Sequence, residues 1–474
     1  MNDKKDKIVV IGLLLFLLLG IGAYFFITNN VLKKNNYTSS GTTSSASTQI
    51  SEVDWASYDS KEITLSKSVQ ITEAGTYTLT GEISDGLIYI NTDGNVKLIL
   101  NGVSITNSKG PAIMVENAKT VEIETVKGTT NTLTDGSTYS GYEEGVVGTI
   151  YSKDDLILSG EGTLKIVSNN EDAIVSKDDL KITSGTYVID AKDDAIRGKD
   201  SVEITGGTFT INANGDGIKA TNDTDTTKGF ILISGGSFNI TSVNDGVQAE
   251  TDLKITGGSF NIKTTGNADT DSAKGLKAET LIEITGGTFT LNTTDDAIHS
   301  NGNITINNGE FTIESSDDGV HGDGLVEING GTFNITAQEG IEGTYIKINN
   351  GTINISASDD GINAANKSTN YAVTVEINGG NITIKMGQGD TDGIDSNGNL
   401  YINGGTVNIT GQSAFDYDGE AKYTGGTMIV NGEKTTTITN QFGGAGGMRG
   451  GQMNGNMPNN NDERPNGNMR GGRR

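Results

Sequence analysis

Asp193-Asp194-Ala195-Ile196-Arg197-Gly198-Lys199-Asp200-Ser201-Val202-Glu203-Ile204-Thr205-Gly206-Gly207-Thr208-Phe209-Thr210-Ile211-Asn212-Ala213 is a unit that the chain repeats. It returns as Asp295–Thr312, Asp317–Ala337 and Asp359–Ser396. The branched residue of its first segment recurs at Ile174, Ile196, Ile218, Val247, Leu276, Ile298, Val320, Ile341, Ile362, Ile394 and Phe415. The steps are 22, 22, 29, 29, 22, 22, 21, 21, 32 and 21 residues, a near-fixed period with inserts, which is the mark of a solenoid. Each unit holds three short segments that alternate with period 2, so each reads as a strand with one buried face. Gly206-Gly207 between two of them suits a tight turn at positive φ. Three strands in about 22 residues make one coil of a parallel β-helix. The expected fold class is therefore all-β. The expected core column is Phe209, Phe238, Phe260, Phe289, Phe311 and Phe333, then Ile353, Ile382, Val407 and Met428.

The repeat argues for one elongated domain over residues 55–440, although 474 residues would otherwise suggest two or three domains. A hydrophobic content of 33% suits a thin solenoid with polar outward positions. With no Cys there are no disulfides and no thiolate metal sites. The net charge of −26 understates the body, because basic residues gather at both ends. Such a surface repels nucleic acid and attracts cations. Ile8–Ile27 is an uncharged run of 20 residues, long enough to span a bilayer. Residues 1–34 are thus expected to be an uncleaved signal anchor with a transmembrane helix, placing the rest outside the cytoplasm; a cleaved segment would give a secreted protein. Residues 35–54 read as a Ser/Thr-rich stalk, and residues 441–474, rich in Gly, Asn, Met and Arg, as a disordered tail. Asp59–Leu158 reads as early coils in a looser register, and Thr129–Gly148 as a loop leaving them.

The chemistry is carried by acidic turns. Asp193-Asp194, Asp295-Asp296, Asp317-Asp318 and Asp359-Asp360 share one position in the coil, and Asp172, Asp216, Asp245 and Asp392 fall in the same column. Coils stack about 4.8 Å apart. Like charges that close repel by about 1 kcal/mol per pair even in water. A hard cation such as Ca²⁺, which takes six to eight oxygen ligands, would relieve this. Inserts carry Asp-Thr-Asp at 223–225, 269–271 and 390–392, so Asp269, Asp271 and Asp390 join the candidate ligands. With no Cys and two His, a soft-metal site is not expected. One column on the same turns varies: Arg197, Lys219, Gln248, Lys277, His299, His321, Glu342, Asn363, Asp395. Beside calcium, Arg197 or Lys219 could abstract a proton α to a uronate carboxylate. The outward residues flanking the Phe column, such as Thr208, Thr210, Ser237, Asn239, Thr332 and Asn334, form a flat polar strip suited to hydrogen-bonding a polysaccharide.

The Asp-Asp-Gly-Ile and Ile-x-Gly-Gly-x-Phe-x-Ile motifs resemble those of a family of bacterial carbohydrate-binding domain proteins. The resemblance covers about Trp55–Asn440 together with the anchor and the tail. It implies a calcium-binding, right-handed β-helix similar to that of polysaccharide lyases. It also implies binding of cellulose-like and acidic plant-wall polysaccharides. The family's calcium-binding turns map onto Asp193-Asp194, Asp295-Asp296, Asp317-Asp318 and Asp359-Asp360. The chain departs from the pattern at Gln338-Glu339-Gly340 and Ser413-Ala414-Phe415. The expected protein is a monomeric, membrane-anchored, extracellular binder of calcium and polysaccharide. The alternatives are a calcium-dependent lyase of pectate type and a structural stalk or adhesin.

Overall fold

The computed structural model describes residues 50–440, apart from Asp269, Asp271 and Asp390. The unit Met1–Gln49 and the segment 441–474 lie outside the described residues, and with them the expected anchor, most of the stalk and the tail. Among the described residues no helix is long and apolar enough to cross a membrane.

Along each coil the chain lays down three strands, as the period-2 pattern predicts. In one coil these are Ile196–Gly198, Ser201–Ile204 and Thr208–Ala213; in the next, Ile218–Ala220, Phe230–Ile233 and Ser237–Ser242. Each pairs in parallel with its counterpart one coil on, as in Ile196↔Ile218, Val202↔Ile231 and Phe209↔Phe238. The result is a solenoid with three parallel faces, called here first, second and third in chain order. Alternation puts Ile, Val, Leu and Phe inside and Thr, Asn, Ser and charged residues outside.

The expected core column is buried throughout, from Phe209 to Met428. The aromatic rings stack with centroids 4.5–5.0 Å apart and planes within 11°. The stack begins one coil earlier than the sequence suggested, at Tyr187, whose hydroxyl donates to the Ser184 carbonyl at 2.6 Å. Burying each ring stabilises the fold by about 1.5–3 kcal/mol.

The turn between the second and third faces has one length in every regular coil. Ile182 leads to Thr186, Ile204 to Thr208, Ile233 to Ser237 and Ile284 to Thr288. The last of its three residues is always Gly at positive φ, for example +114° at Gly207 and +117° at Gly287. A Cβ at Gly287 would meet the Phe289 ring at 3.1 Å. At the first position of this turn an amide ladder forms: Asn329, Asn349, Asn378 and Asn403 each donate to the Asn one coil earlier, at 2.7–3.0 Å. Insertions occur only at the other two corners of the regular coils, as in Thr221–Gly229 and Thr265–Lys274.

Early coils do precede the regular ones. The expected loop at Thr129–Gly148 is shorter than predicted, because Thr130–Thr134 is a strand paired with Ser104–Thr106 and Thr163–Val167. The remainder folds back on the first face, where Tyr139 and Tyr142 pack against a cluster of Met114, Val146, Val147, Tyr151 and Val175. At the start, Trp55–Ser57 forms a 3₁₀ turn, and the Trp55 indole donates to Glu122. At the end, Thr427–Val430 pairs antiparallel with Glu433–Thr435.

Candidate functional site

The second members of the Asp turns form the column that the sequence places there. At this corner the chain leaves the third face for the first, so backbone N–H groups lack strand partners. The carboxylates supply them. Asp172 Oδ1 accepts from the Asp194 N–H at 3.1 Å, Asp194 from Asp216 at 2.8 Å, and Asp216 from Asp245 at 2.8 Å. Asp245 accepts from Lys274 at 2.8 Å, Asp296 from Asp318 at 3.0 Å and Asp360 from Asp392 at 2.9 Å. These charge-assisted bonds fix each coil on the next. The first members lie further out: Asp193 is exposed, while Asp317 and Asp359 are half-buried; Asp295 is buried. Carboxylate oxygens of Asp172, Asp193 and Asp194 lie within 4.8 Å of one another, as do those of Asp295, Asp296 and Asp317. Asp269, Asp271 and Asp390 are outside the described residues.

The varying column turns its cations onto the second oxygens of this ladder. Arg197 Nη1 lies 2.7 Å from Asp172 Oδ2, Lys219 Nζ 2.5 Å from Asp216 Oδ2 and Lys277 Nζ 3.7 Å from Asp245 Oδ2. His299 Nδ1 lies 2.7 Å from Asp296 Oδ2, and His321 Nδ1 3.1 Å from Asp318 Oδ2. The repulsion expected from the sequence is thus met in part by the protein's own cations and amides. Burial still pushes Asp172 up to about 7, with Arg197 opposing and Asp194 adding to the shift. Burial pulls the Lys219 ammonium down, but Asp216 and Asp194 outweigh it and hold it above the usual lysine range. Burial pulls the His321 imidazole down, but Asp296 and Asp318 outweigh it and raise it to about 10.

After His321 the column itself carries no further cation, although Lys367 from an insert reaches Glu342 at 2.9 Å. Glu342, Asn363 and Asp395 follow in register on the first face. Burial pushes Asp395 up to about 7, helped by Asp360, Asp416 and Asp392. Burial pushes Glu339 up to about 8, helped by Asp318 and Glu342. Asn363 Oδ1 is a buried acceptor without a donor. This oxygen-rich, cation-poor stretch fits a hard divalent ion. Sequence reading missed Asp395 and Asp416 as acidic members, because they stand at positions that hold Arg, Lys or His higher up.

Two further arrangements lie outside the predicted residues. At the corner between first and second faces, Asp155, Asp178 and Asp179 bring carboxylate oxygens within 4.8 Å, and burial pushes Asp155 up to about 7. The signal was present as the Asp178-Asp179 pair, but it falls outside the main repeat column. On the second face, Tyr345 lies 6.4 Å from Tyr371, and its hydroxyl donates to Glu376; Lys422 sits over the Tyr401 ring at 5.6 Å.

The third face is the flat polar strip. Its outward rows run Thr208, Ser237, Ser259, Thr288 and Thr210, Asn239, Asn261, Thr290, all exposed. Amides link coils along it, Asn261 to Asn239 at 2.7 Å and Asn354 to Asn334 at 3.1 Å. Beside the strip lies a groove of about 280 Å³ lined by Asp190, Asn212, Asn214, Thr241 and Thr265.

A family model described as carbohydrate-binding domain-containing protein matches residues 66–319 and 316–442. A carbohydrate-binding domain-containing protein of Acetivibrio thermocellus is 36% identical over 130 residues, 26% of this chain and 46% of that protein. The aligned part therefore spans about half of that relative's length. A solved structure of a polysaccharide lyase-like protein from C. thermocellum, a gadolinium derivative, shares 31% identity over 50% of this chain and 92% of its own, with a TM-score of 0.44. With the family model matching most of its length, the chain belongs to the carbohydrate-binding domain-containing protein family.

Proposed function

We propose that this chain is a cell-surface, calcium-binding protein that holds polysaccharide along its third face without cleaving it, on a right-handed β-helix anchored through Ile8–Ile27. The observation that carries the reading is the strip itself. Hydroxyl and amide side chains stand outward at the same two positions on coil after coil. A sugar polymer presents the complementary array of donors and acceptors, and a flat face suits an extended chain. Cellulose-like and acidic plant-wall polysaccharides are the substrate class.

Calcium is proposed on the Asp column. Asp360, Asp392, Asp395 and the donorless Asn363 Oδ1 are the donors that fit it best, because Arg197, Lys219 and Lys277 already face the higher rungs. An ion there would replace protons on raised carboxyls such as Asp395. The ion's chemistry is structural: it neutralises the stacked carboxylates.

The test is retention of the chain on insoluble cellulose-like and uronan matrices, with calcium and with chelator. Retention that falls at least tenfold in the Asn239→Ala/Asn261→Ala double variant, with melting unchanged, supports the reading. Absence of retention on every matrix in both conditions sinks it. Asp395→Asn separates the two halves, since it should lower calcium stabilisation while leaving the third face intact. A lyase base at Arg197 or Lys219 has their ion pairs against it. Each is a firmly held cation facing a buried carboxylate, a poor proton acceptor as it stands. Appearance of unsaturated products from a uronan, lost in Lys219→Ala, would favour that alternative.

A further inference from the structure

His299 and His321 are the chain's two histidines, and the fold brings them together. They occupy the same position on neighbouring coils, His299↔His321 in register, with ring centroids 4.8 Å apart and planes at 73°. Both turn Nδ1 to one atom. Asp296 Oδ2 lies 2.7 Å from His299 Nδ1 and 3.4 Å from His321 Nδ1. Asp318 Oδ2 stands 3.1 Å from His321 Nδ1. The two Asp-x-x-His pairs, Asp296 with His299 and Asp318 with His321, create this convergence by repeating on consecutive coils.

The orientation of His299 is set from behind. Asn301 donates through Nδ2 to Glu279, so its Oδ1 faces His299 Nε2 at 2.8 Å. That oxygen can only accept, and Nε2 must therefore carry a proton. In a neutral imidazole, Nδ1 then presents a lone pair to a carboxylate oxygen. Two acceptors at 2.7 Å require a cation between them, either a second proton or a metal ion. His321 turns its other nitrogen to Glu342. Its Nε2 is buried and lies 3.1 Å from Glu342 Oε2, yet outside hydrogen-bond geometry. The environment is an excess of carboxylates around two imidazoles: Asp296, Asp318, Asp323 and Glu342, with Lys274 Nζ 3.8 Å from Asp296 Oδ2 and Lys367 Nζ 2.9 Å from Glu342 Oε1.

We infer that His299 Nδ1, His321 Nδ1 and Asp296 Oδ2, from three residues whose ligand atoms lie within 4.8 Å of one another, form a binding site for a borderline divalent ion of the zinc class, with a fourth position left to solvent or substrate. Imidazole nitrogen selects such ions over calcium, which prefers oxygen alone. Metal–ligand bonds of about 2.0–2.1 Å place tetrahedral ligands roughly 3.3 Å apart. The 3.4 Å separation between Asp296 Oδ2 and His321 Nδ1 is near this value, and the 2.7 Å contact to His299 Nδ1 opens by about 0.6 Å on loading. The carboxylate–Asn–His relay from Glu279 through Asn301 is the outer support that metal-binding histidines use. Asp296 Oδ1 remains anchored on the Asp318 N–H, so the site is built on the rigid ladder and not on a loop. The site does not depend on the calcium reading, although it uses Asp296 of that column.

The experiment uses the full chain without a histidine tag, stripped with chelator and titrated with Co²⁺. The expected result is one Co²⁺ retained per chain with a visible ligand-field band, displaced by one equivalent of Zn²⁺ and not by a hundredfold excess of Ca²⁺. His299→Ala and His321→Ala should each weaken Co²⁺ binding at least tenfold. His321→Gln serves if His321→Ala fails to fold. No band, a band untouched by the histidine substitutions, or displacement by Ca²⁺ would each overturn the site. Calcium stabilisation of the same preparation is read separately, so either conclusion can fail alone.

Discussion

At the scale of single residues, the turn glycines show how one position constrains the chain. In Gly286-Gly287 only the second glycine has positive φ, and its missing Cβ makes room for Phe289. The repeats carry the same lesson within one sequence: Ser184, Asn308 and Asn350 take the first position, but Gly185, Gly309 and Gly351 hold the second. Gly287→Ala should therefore destabilise the chain by about 1–2 kcal/mol, the cost of left-handed backbone for an L-residue. Gly286→Ser should cost far less. Urea denaturation of the two variants checks this, and equal losses would contradict it. The need for Gly at this turn was legible in the sequence. The roles of Arg197, Lys219 and the histidines were not, because a variable column gives no pattern until stacking sets it beside the Asp ladder.

At the scale of elements, the aromatic stack holds the largest fully buried side chains of the core. Phe260 sits between Phe238 and Phe289, with centroids 4.7 Å and 4.9 Å away. Phe260→Ala removes both stacking contacts and leaves a cavity that neighbouring coils cannot close, since the backbone ladders on either side fix them. A loss of about 3–5 kcal/mol is expected. Val407 stands in the same column where the core is already aliphatic, so Val407→Ala should cost less. Comparing the two melting temperatures tests whether the stack carries more than ordinary core. The three strands per coil and their inward residues were read from period 2 alone. The strand Thr130–Thr134 was missed because it lies where early coils break that regularity, and only pairing on both sides identifies it.

At the scale of the whole molecule, the buried carboxyls link stability to pH. Asp155, Asp172 and Asp395 are pushed up to about 7 and Glu339 to about 8, all chiefly by burial. Their unfolded values lie near 4. Between these limits the folded chain holds more protons than the unfolded one, so stability falls as pH rises. His321, raised from 6.5 to about 10, acts in the same direction, its stabilisation full below 6.5 and lost as pH rises to about 10. In chelator, the melting temperature should rise by several degrees from pH 8.5 to pH 6. Calcium should flatten that slope by taking the place of the protons. A melting temperature that falls over this window would show that the carboxyls are ionised and relieved in some other way. The acid-rich lower stretch could not be singled out from sequence, because net charge does not reveal which carboxylates have cations opposite them. The invariant turn between second and third faces has a last consequence. It works as a spine: every coil is indexed there, while length changes such as Thr221–Gly229 and Thr265–Lys274 hang from the other corners. Foreign segments grafted at those corners would leave the indexing untouched, which makes the solenoid a scaffold whose display sites are already marked by its own inserts.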